Sequence, residues 1–195
     1  MNVNENIRVL GIAGSLRTGS YNAALLRAVA GMTPDGMSFI IAGLADIPAY
    51  NYDIEKIGDP PAVGVLKDAM ANADAFLIVT PEYQHGIPGV LKNALDWAAR
   101  PPKHSPMLGK AAAVMGATEG TTGTARAQEQ VRQTLAFSEV YLVPGPEVLV
   151  GHVQEKIDRN GVFSDESATP FIRELLNNLA NLALALREFP PNGRT

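Results

Sequence analysis

Cysteine is absent from the 195 residues, so the chain has no disulfide, no thiol nucleophile and no thiolate ligand for an iron–sulfur cluster. Histidine is scarce as well. With only His85, His104 and His152, a multi-histidine metal centre is not expected, and His85 has no carboxylate or second histidine at ligand spacing. The patterns G-x-S-x-G, C-x-x-C and H-E-x-x-H are all missing. Long apolar runs are missing too. The longest fall well short of the roughly 20 residues that a bilayer-spanning helix needs. Charge of one sign does not dominate. A net charge of −4 supplies no basic field for a nucleic-acid backbone, and it is too mild to mark a heavily acidic docking face. Nucleic acid and membrane are therefore not expected as partners. The opening residues, MNVNENIRVLGIAG, include acidic Glu5 and no processing pattern, so no export leader is expected and a cytoplasmic location is the default.

What is present is ordinary globular material. Apolar residues at 46% against charged residues at 18% argue against disorder over most of the length. The size fits one domain, expected over residues 5–190. The near-continuous apolar character of residues 7–13 predicts a strand buried on both faces, as in a parallel sheet. Further strands are expected at 37–42, 75–80, 110–115 and 139–143. Helices are expected at 20–31, 62–73, 90–99, 124–136 and 169–188. Residues 43–61 read as loop, 151–165 as a polar and partly ordered segment, and FPPNGRT as a fraying tail. Alternating strands and right-handed crossovers give an α/β three-layer sandwich. A five-stranded parallel sheet in the flavodoxin-like order 2-1-3-4-5 fits the count. Ligands bind such sheets beyond the strands' carboxyl ends, where the order reverses. Three loops fall there: residues 14–20, 81–86 and 116–123.

The first loop reads GSLRTGSYN from Gly14 to Asn22. A loop that opens a helix after a buried strand offers unpaired amides and the positive end of the helix dipole. Ser15, Thr18, Ser20 and Asn22 add side-chain donors, and Arg17 adds a cation. A phosphate monoester, with close to two negative charges, wants such a set. The glycines at 11, 14 and 19 do not make the dinucleotide fingerprint, and no Gly-Lys-Ser/Thr follows. The hydroxyl-rich loop suits a mononucleotide phosphate. The plainer alternative is a loop that only caps a helix, with Ser20 as the cap.

The second loop, TPEYQHGIPGVLKNALDW, leaves the third strand beside the first. Pro81 stiffens it, and Gly86 and Gly89 permit close approach. The amides of Glu82, Tyr83 and Gln84 are placed to bond the edge of a planar heterocycle, with Tyr83 over one face. Alternatively, Tyr83 is a surface aromatic at a subunit contact and Glu82 caps the following helix. His85 reads as solvated or substrate-side. Leu91, Leu95 and Trp97 read as core or interface. The third loop, GATEGTTG, leaves room for the other side of a ring or for a nicotinamide, and Glu119 in it reads as a surface charge. A cofactor cradle without a nucleophile or acid–base set points to chemistry carried by the cofactor.

Three segments, GIAGSLRTGSYN, TPEYQHGIPGVLKNALDW and GATEGTTGTARAQEQVRQTL, together resemble the NADPH-dependent FMN reductase family, whose members include quinone, chromate and azo-dye reductases. The resemblance implies a flavodoxin-like fold binding FMN without covalent attachment. By the family pattern Ser15, Arg17, Ser20 and Asn22 hold the phosphate, Pro81, Glu82, Tyr83 and Gln84 contact the isoalloxazine, and Gly116 borders the ring. No catalytic side chain is assigned, and no metal is expected. The resemblance also implies a homodimer or homotetramer, with the helix containing Leu91 to Trp97 near the subunit contacts. Glu119 departs from relatives that carry serine and further glycines there, which bears on nicotinamide preference and on anionic acceptors. The expected reaction is ping-pong: hydride passes from NADPH or NADH to flavin N5, then electrons pass to a quinone or similar small acceptor. The alternatives are a flavodoxin-type electron carrier, a reductase supplying reduced FMN to a monooxygenase, and a non-catalytic interaction module.

Overall fold

The computed structural model describes residues 6–190; Glu5 and the tail residues 191–195 lie outside the described residues. Strand β1 (Ile7–Ala13) leads to α1 (Tyr21–Ala30), β2 (Met37–Ala42), the one-turn α2 (Tyr52–Glu55) and α3 (Pro61–Asn72). Then come β3 (Ala75–Val79), α4 (Gly89–Ala98), β4 (Ala111–Ala117), α5 (Ala125–Phe137), β5 (Tyr141–Leu142), β6 (Val148–Val150) and α6 (Thr169–Glu188). The named strands all pair in parallel, in the order β2-β1-β3-β4-β5, and β6 also pairs with β4. This is the flavodoxin-like sheet. β1 opposes Ile7 to Met37 on one side and Val9 to Ala75 on the other, so the chain reverses its direction of advance at β1 and β3.

Alternate residues of the central strands feed two cores, as the two-residue period of a strand requires. Val9, Leu77, Val79, Ala113 and Met115 pack under Leu25, Leu26 and Val29 of α1 and Leu175, Leu176 and Leu179 of α6. Leu10, Ile12, Phe76, Ile78 and Val114 pack under Leu66 and Met70 of α3, Leu91 and Leu95 of α4, and Val131 and Leu135 of α5. Leu91, Leu95 and Trp97 are thus core, each at most 1% exposed.

The chain differs from expectation in four places. The last strand is broken into β5 and β6, because Pro144 and Pro146 carry no N–H for the ladder. β4 runs on to Ala117, paired with β6 through Met115, Gly116 and Ala117. The proposed loop at 43–61 contains α2, capped by Asn51, whose Oδ1 accepts from Asp53 N–H at 2.8 Å. This loop is fastened to α4, where Pro48 O accepts from Asn93 Nδ2 at 2.8 Å and from Trp97 Nε1 at 2.9 Å. Segment 151–165 is docked on the sheet: Val153, Ile157 and Phe163 are buried in the α1/α6 core, and Ile157 bridges Phe163.

Candidate functional site

β1 delivers its chain end at the reversal point, beside the end of β3. Gly14 N–H donates to Val79 O at 2.9 Å. A side chain at Gly14 would meet Leu91, Thr80 Oγ1 and Pro81 at 3.1–3.2 Å, so the glycine lets the first and second loops close on each other. The turn before α1 is fixed by Ser20 N–H donating to Arg17 O at 3.0 Å and by Ser15 Oγ accepting from Arg17 N–H at 3.3 Å. Ser20 is the N-cap, its Oγ accepting from Ala23 N–H at 3.2 Å. Among the described residues, the amides of Leu16, Thr18, Gly19, Tyr21 and Asn22 have no intrachain acceptor. Arg17 is exposed, with its guanidinium 5.6 Å from the Tyr21 ring centroid. Donors without acceptors, one cation and a helix start make an anion cradle.

Asn22 is engaged within the protein as well as lining the cavity. Its Nδ2 donates to Ala117 O at 2.8 Å and its Oδ1 accepts from Ala117 N–H at 2.9 Å. The side chain, 3% exposed, therefore clamps α1 to the end of β4. It joins the first loop to the third, and its amide is already engaged on both sides.

The second loop turns sharply. Tyr83 N–H donates to Gly86 O and Gly86 N–H to Tyr83 O, both at 3.0 Å. Gln84 and His85 sit at the corners with φ of 49° and 61°, the left-handed pair of a type I′ turn. The turn is held to α5 by Gln130 Oε1, which accepts from Ile87 N–H at 2.9 Å. Gly86 leaves room for this contact, since a Cβ would lie 2.7 Å from Gln130 Oε1 and displace that amide. Tyr83 N–H is thereby withdrawn from any ligand, while the amides of Glu82 and Gln84 have no intrachain acceptor among the described residues. The Tyr83 side chain is 48% exposed and its hydroxyl lies 3.1 Å from Ser15 Oγ. Glu82 caps a helix, but the helix is α5. Its Oε2 accepts from Arg126 N–H at 3.0 Å and Ala127 N–H at 3.3 Å, and its Oε1 pairs with Arg126 Nη1 at 3.1 Å. Sheet order explains the choice, because β4 neighbours β3 and so sets the start of α5 against the end of β3.

Gly116 lies inside β4 rather than in a loop. A Cβ there would fall 2.0 Å from Thr124 Oγ1 and 2.3 Å from Thr80 O, so the glycine allows close backbone packing. The third loop therefore starts at Thr118, whose N–H donates to Val150 O at 2.9 Å. Thr124 and Gln128 lock its far end, with Gln128 Nε2 donating to Gly123 O and Val148 O at 3.1 Å.

Ser15, Arg17, Ser20, Asn22, Pro81, Glu82 and Tyr83 all line one cavity of about 260 Å³. Gln84 and Gly116 do not. Tyr21, Ala117, Thr118 and Glu119 complete the lining. Tyr21 and Ala117 were not nominated from the sequence. The signal for Ala117 was the small, uniformly apolar run AAAVMGA, which continues the strand past residue 115. Among the described residues no His, Cys, Asp or Glu group is placed to hold a metal ion.

An anion cradle at the reversal point of a parallel sheet, open to two further loops, defines a flavodoxin-like nucleotide-binding protein. Comparison with known proteins narrows this. Residues 7–155 match the family described as NADPH-dependent FMN reductase, and the chain belongs to that family. An NAD(P)H-dependent FMN reductase of Pseudomonas aeruginosa is 46% identical over 177 residues, covering 91% of this chain and 95% of that protein. A 2-hydroxy-1,4-benzoquinone reductase of Burkholderia is 36% identical over 174 residues, covering 89% and 94%. The flavoenzyme NAD(P)H:(acceptor) oxidoreductase FerB of Paracoccus denitrificans superposes with a TM-score of 0.84 at 31% identity, over 92% of this chain and 98% of that one. The chain is accordingly an oxidoreductase that uses FMN and NAD(P)H.

Proposed function

We propose that this protein is an NAD(P)H:quinone reductase whose FMN phosphate is held by Ser15, Arg17, Ser20 and the free amides of the first loop. The observation that carries the reading is the pair of unpaired N–H groups at Tyr21 and Asn22 beside Ser15, Arg17 and Ser20, at a cavity shared with the second and third loops, with the unpaired amides of Thr18 and Gly19 on the adjoining cavity. An anion supplies the acceptors that these groups lack. Pro81, Glu82 and Tyr83 line the ring side, with Ala117 and Thr118 opposite. Gln84 contributes through its backbone amide, and Gly116 through the space that it leaves for Thr80 and Thr124. FMN held there by Ser15, Arg17 and Ser20 would supply the redox chemistry, taking hydride from NAD(P)H and passing electrons to a quinone in separate half-reactions. The chain's own work is positional. Asn22 and Gln130 keep the three loops in register, and the loop amides neutralise charge. No side chain is assigned as a base, and Arg17 binds without transferring a proton.

The quinone acceptor is supported by the named activity of the Burkholderia relative. A unit spanning residues 5–190, a cytoplasmic location and a homodimer or homotetramer belong to the same reading. Among the described residues no helix is long and apolar enough to cross a membrane. For self-association the support is a groove of about 590 Å³ between α4 and α5, edged by Phe137 at 92% exposure. Phe137→Asp is expected to lower the particle mass measured by light scattering.

The test is steady-state oxidation of NADH and NADPH by the FMN-saturated protein across a panel of quinones. Parallel double-reciprocal lines are expected. Intersecting lines would reject the two half-reactions, and stoichiometric reduction without turnover would mark an electron carrier.

A further inference from the structure

A second cavity, about 580 Å³, lies between α1 and segment 154–161. It adjoins the first, because Ser20 and Tyr21 line both, and it also takes in Thr18 and Gly19 of the anion cradle. Its volume falls within the roughly 300–1,000 Å³ of small-molecule pockets. Its chemistry is not that of a dry groove. Arg27 and Arg159 line it, and among the described residues neither makes an ion pair or side-chain hydrogen bond. Among the described residues its one carboxylate, Asp158, is already engaged locally: Oδ1 accepts from Asn160 N–H at 2.8 Å and from Val162 N–H at 2.9 Å. Gln154 and Asn160 bring side-chain amides, and Ile157 an apolar surface.

We infer that this cavity takes the adenosine monophosphate half of flavin adenine dinucleotide, so that the protein binds FAD as well as FMN. The inference rests on the proposed seat of the FMN phosphate. An adenylate joined to that phosphate continues past Ser20 and Tyr21 into the neighbouring cavity. The two guanidinium groups meet the second phosphate, which carries one of the two charges of the pyrophosphate. Asn and Gln amides pair in bidentate fashion with the N6/N7 edge of adenine, and the apolar floor accepts its face. The adenylate of a nicotinamide donor is the other possible source of such a group. Flavin chemistry is favoured because Tyr83 and Glu119, at the ring end, line only the first cavity, whereas the second borders the phosphate end.

The experiment titrates FMN-free protein with FMN and, separately, with FAD, following flavin fluorescence. Wild-type protein is compared with the Arg27→Gln/Arg159→Gln and Arg27→Ala/Arg159→Ala double variants. Both arginines are exposed, so folding should survive the exchange. Wild-type FAD affinity is expected within about tenfold of FMN affinity, and the double variants are expected to lose about tenfold or more in FAD affinity while FMN affinity holds within about twofold. FMN binding without FAD binding overturns the inference, as does an equal loss for both flavins or for neither. A rise in the KM for NADPH with FAD affinity intact would move the cavity to the nicotinamide donor and overturn it likewise. Failure of FMN itself to bind would instead reject the seat of the phosphate.

Discussion

Replacing Asn22 by alanine separates a structural clamp from a phosphate ligand. The side chain makes two hydrogen bonds to Ala117, at 2.8 and 2.9 Å, and Ala117 is 2% exposed. Truncation leaves one N–H and one C=O buried without partners. Each such group costs about 1–3 kcal/mol. Alanine returns roughly 0.5 kcal/mol through its helix propensity. The net loss is therefore about 1.5–5.5 kcal/mol, a large share of the stability of a domain this size. Urea unfolding of the FMN-free protein measures it directly. Asn22→Asp keeps an acceptor for Ala117 N–H but sets a second oxygen against Ala117 O, so it should recover only part of the loss. A side chain that serves the phosphate alone predicts the reverse pattern, with unaltered FMN-free stability and a smaller stabilising increment from added FMN. A loss below about 0.5 kcal/mol in the absence of FMN would refute the clamp.

Three further outcomes are expected. Arg17→Ala should weaken FMN binding by about 1.5–3 kcal/mol, the range for a hydrogen bond to a charged group, and unchanged affinity in a fluorescence titration would remove Arg17 from the cradle. Gly116→Ala should destabilise by about 1–3 kcal/mol or more, because Thr80 O belongs to the backbone and cannot swing away from a Cβ at 2.3 Å; a wild-type melting temperature would contradict this. Burial pushes the Asp165 carboxyl up, but Lys156 at 2.7 Å, Ser167 and the Ala168 amide outweigh it and hold its pKa at about 2. Its stabilising contribution is therefore complete above the unfolded value near about 4 and fades as pH falls from there toward 2, so Asp165→Asn should cost about 2 kcal/mol at pH 7 and progressively less in acid. A constant difference across that window would disprove the assignment.

The parts of the fold that could be read from the sequence are those whose environment leaves a periodic trace. β1, β3 and β4 are covered on both faces, so their residues are apolar almost without interruption. β5 and β6 left no such trace. Their two and three paired residues are divided by Pro144 and Pro146, and a run of two has no period. Helix α2 was hidden for a related reason. One turn buries no face, and what keeps it is a side-chain network: Glu55 Oε2 accepts from Tyr50 Oη at 2.6 Å and from Arg100 Nε at 3.2 Å. Arg100 stands far along the chain, so no local pattern announces the contact.

The site divides along the same line. In the first loop the hydroxyls and the arginine are adjacent in the chain, and residue type alone marks an anion cradle. The second loop conceals its geometry, because a type I′ turn normally advertises itself with Asn-Gly, and here Gln84 and His85 occupy both left-handed positions. A left-handed residue with a side chain costs roughly 1–2 kcal/mol. That conformation persists because Tyr83 and Gly86 exchange two hydrogen bonds and Gln130 holds Ile87 from another helix. The same non-local logic reassigned Asn22, Glu82 and Gly116. Each is the expected residue type for a cofactor contact, yet each is engaged by or packed against a partner at least 36 residues away: Asn22 with Ala117, Glu82 with Arg126, Gly116 against Thr80. Composition singles out the loop expected to bind an anion. Which side chains stay free to do so depends on the pairing between loops, and only the folded sheet fixes that pairing.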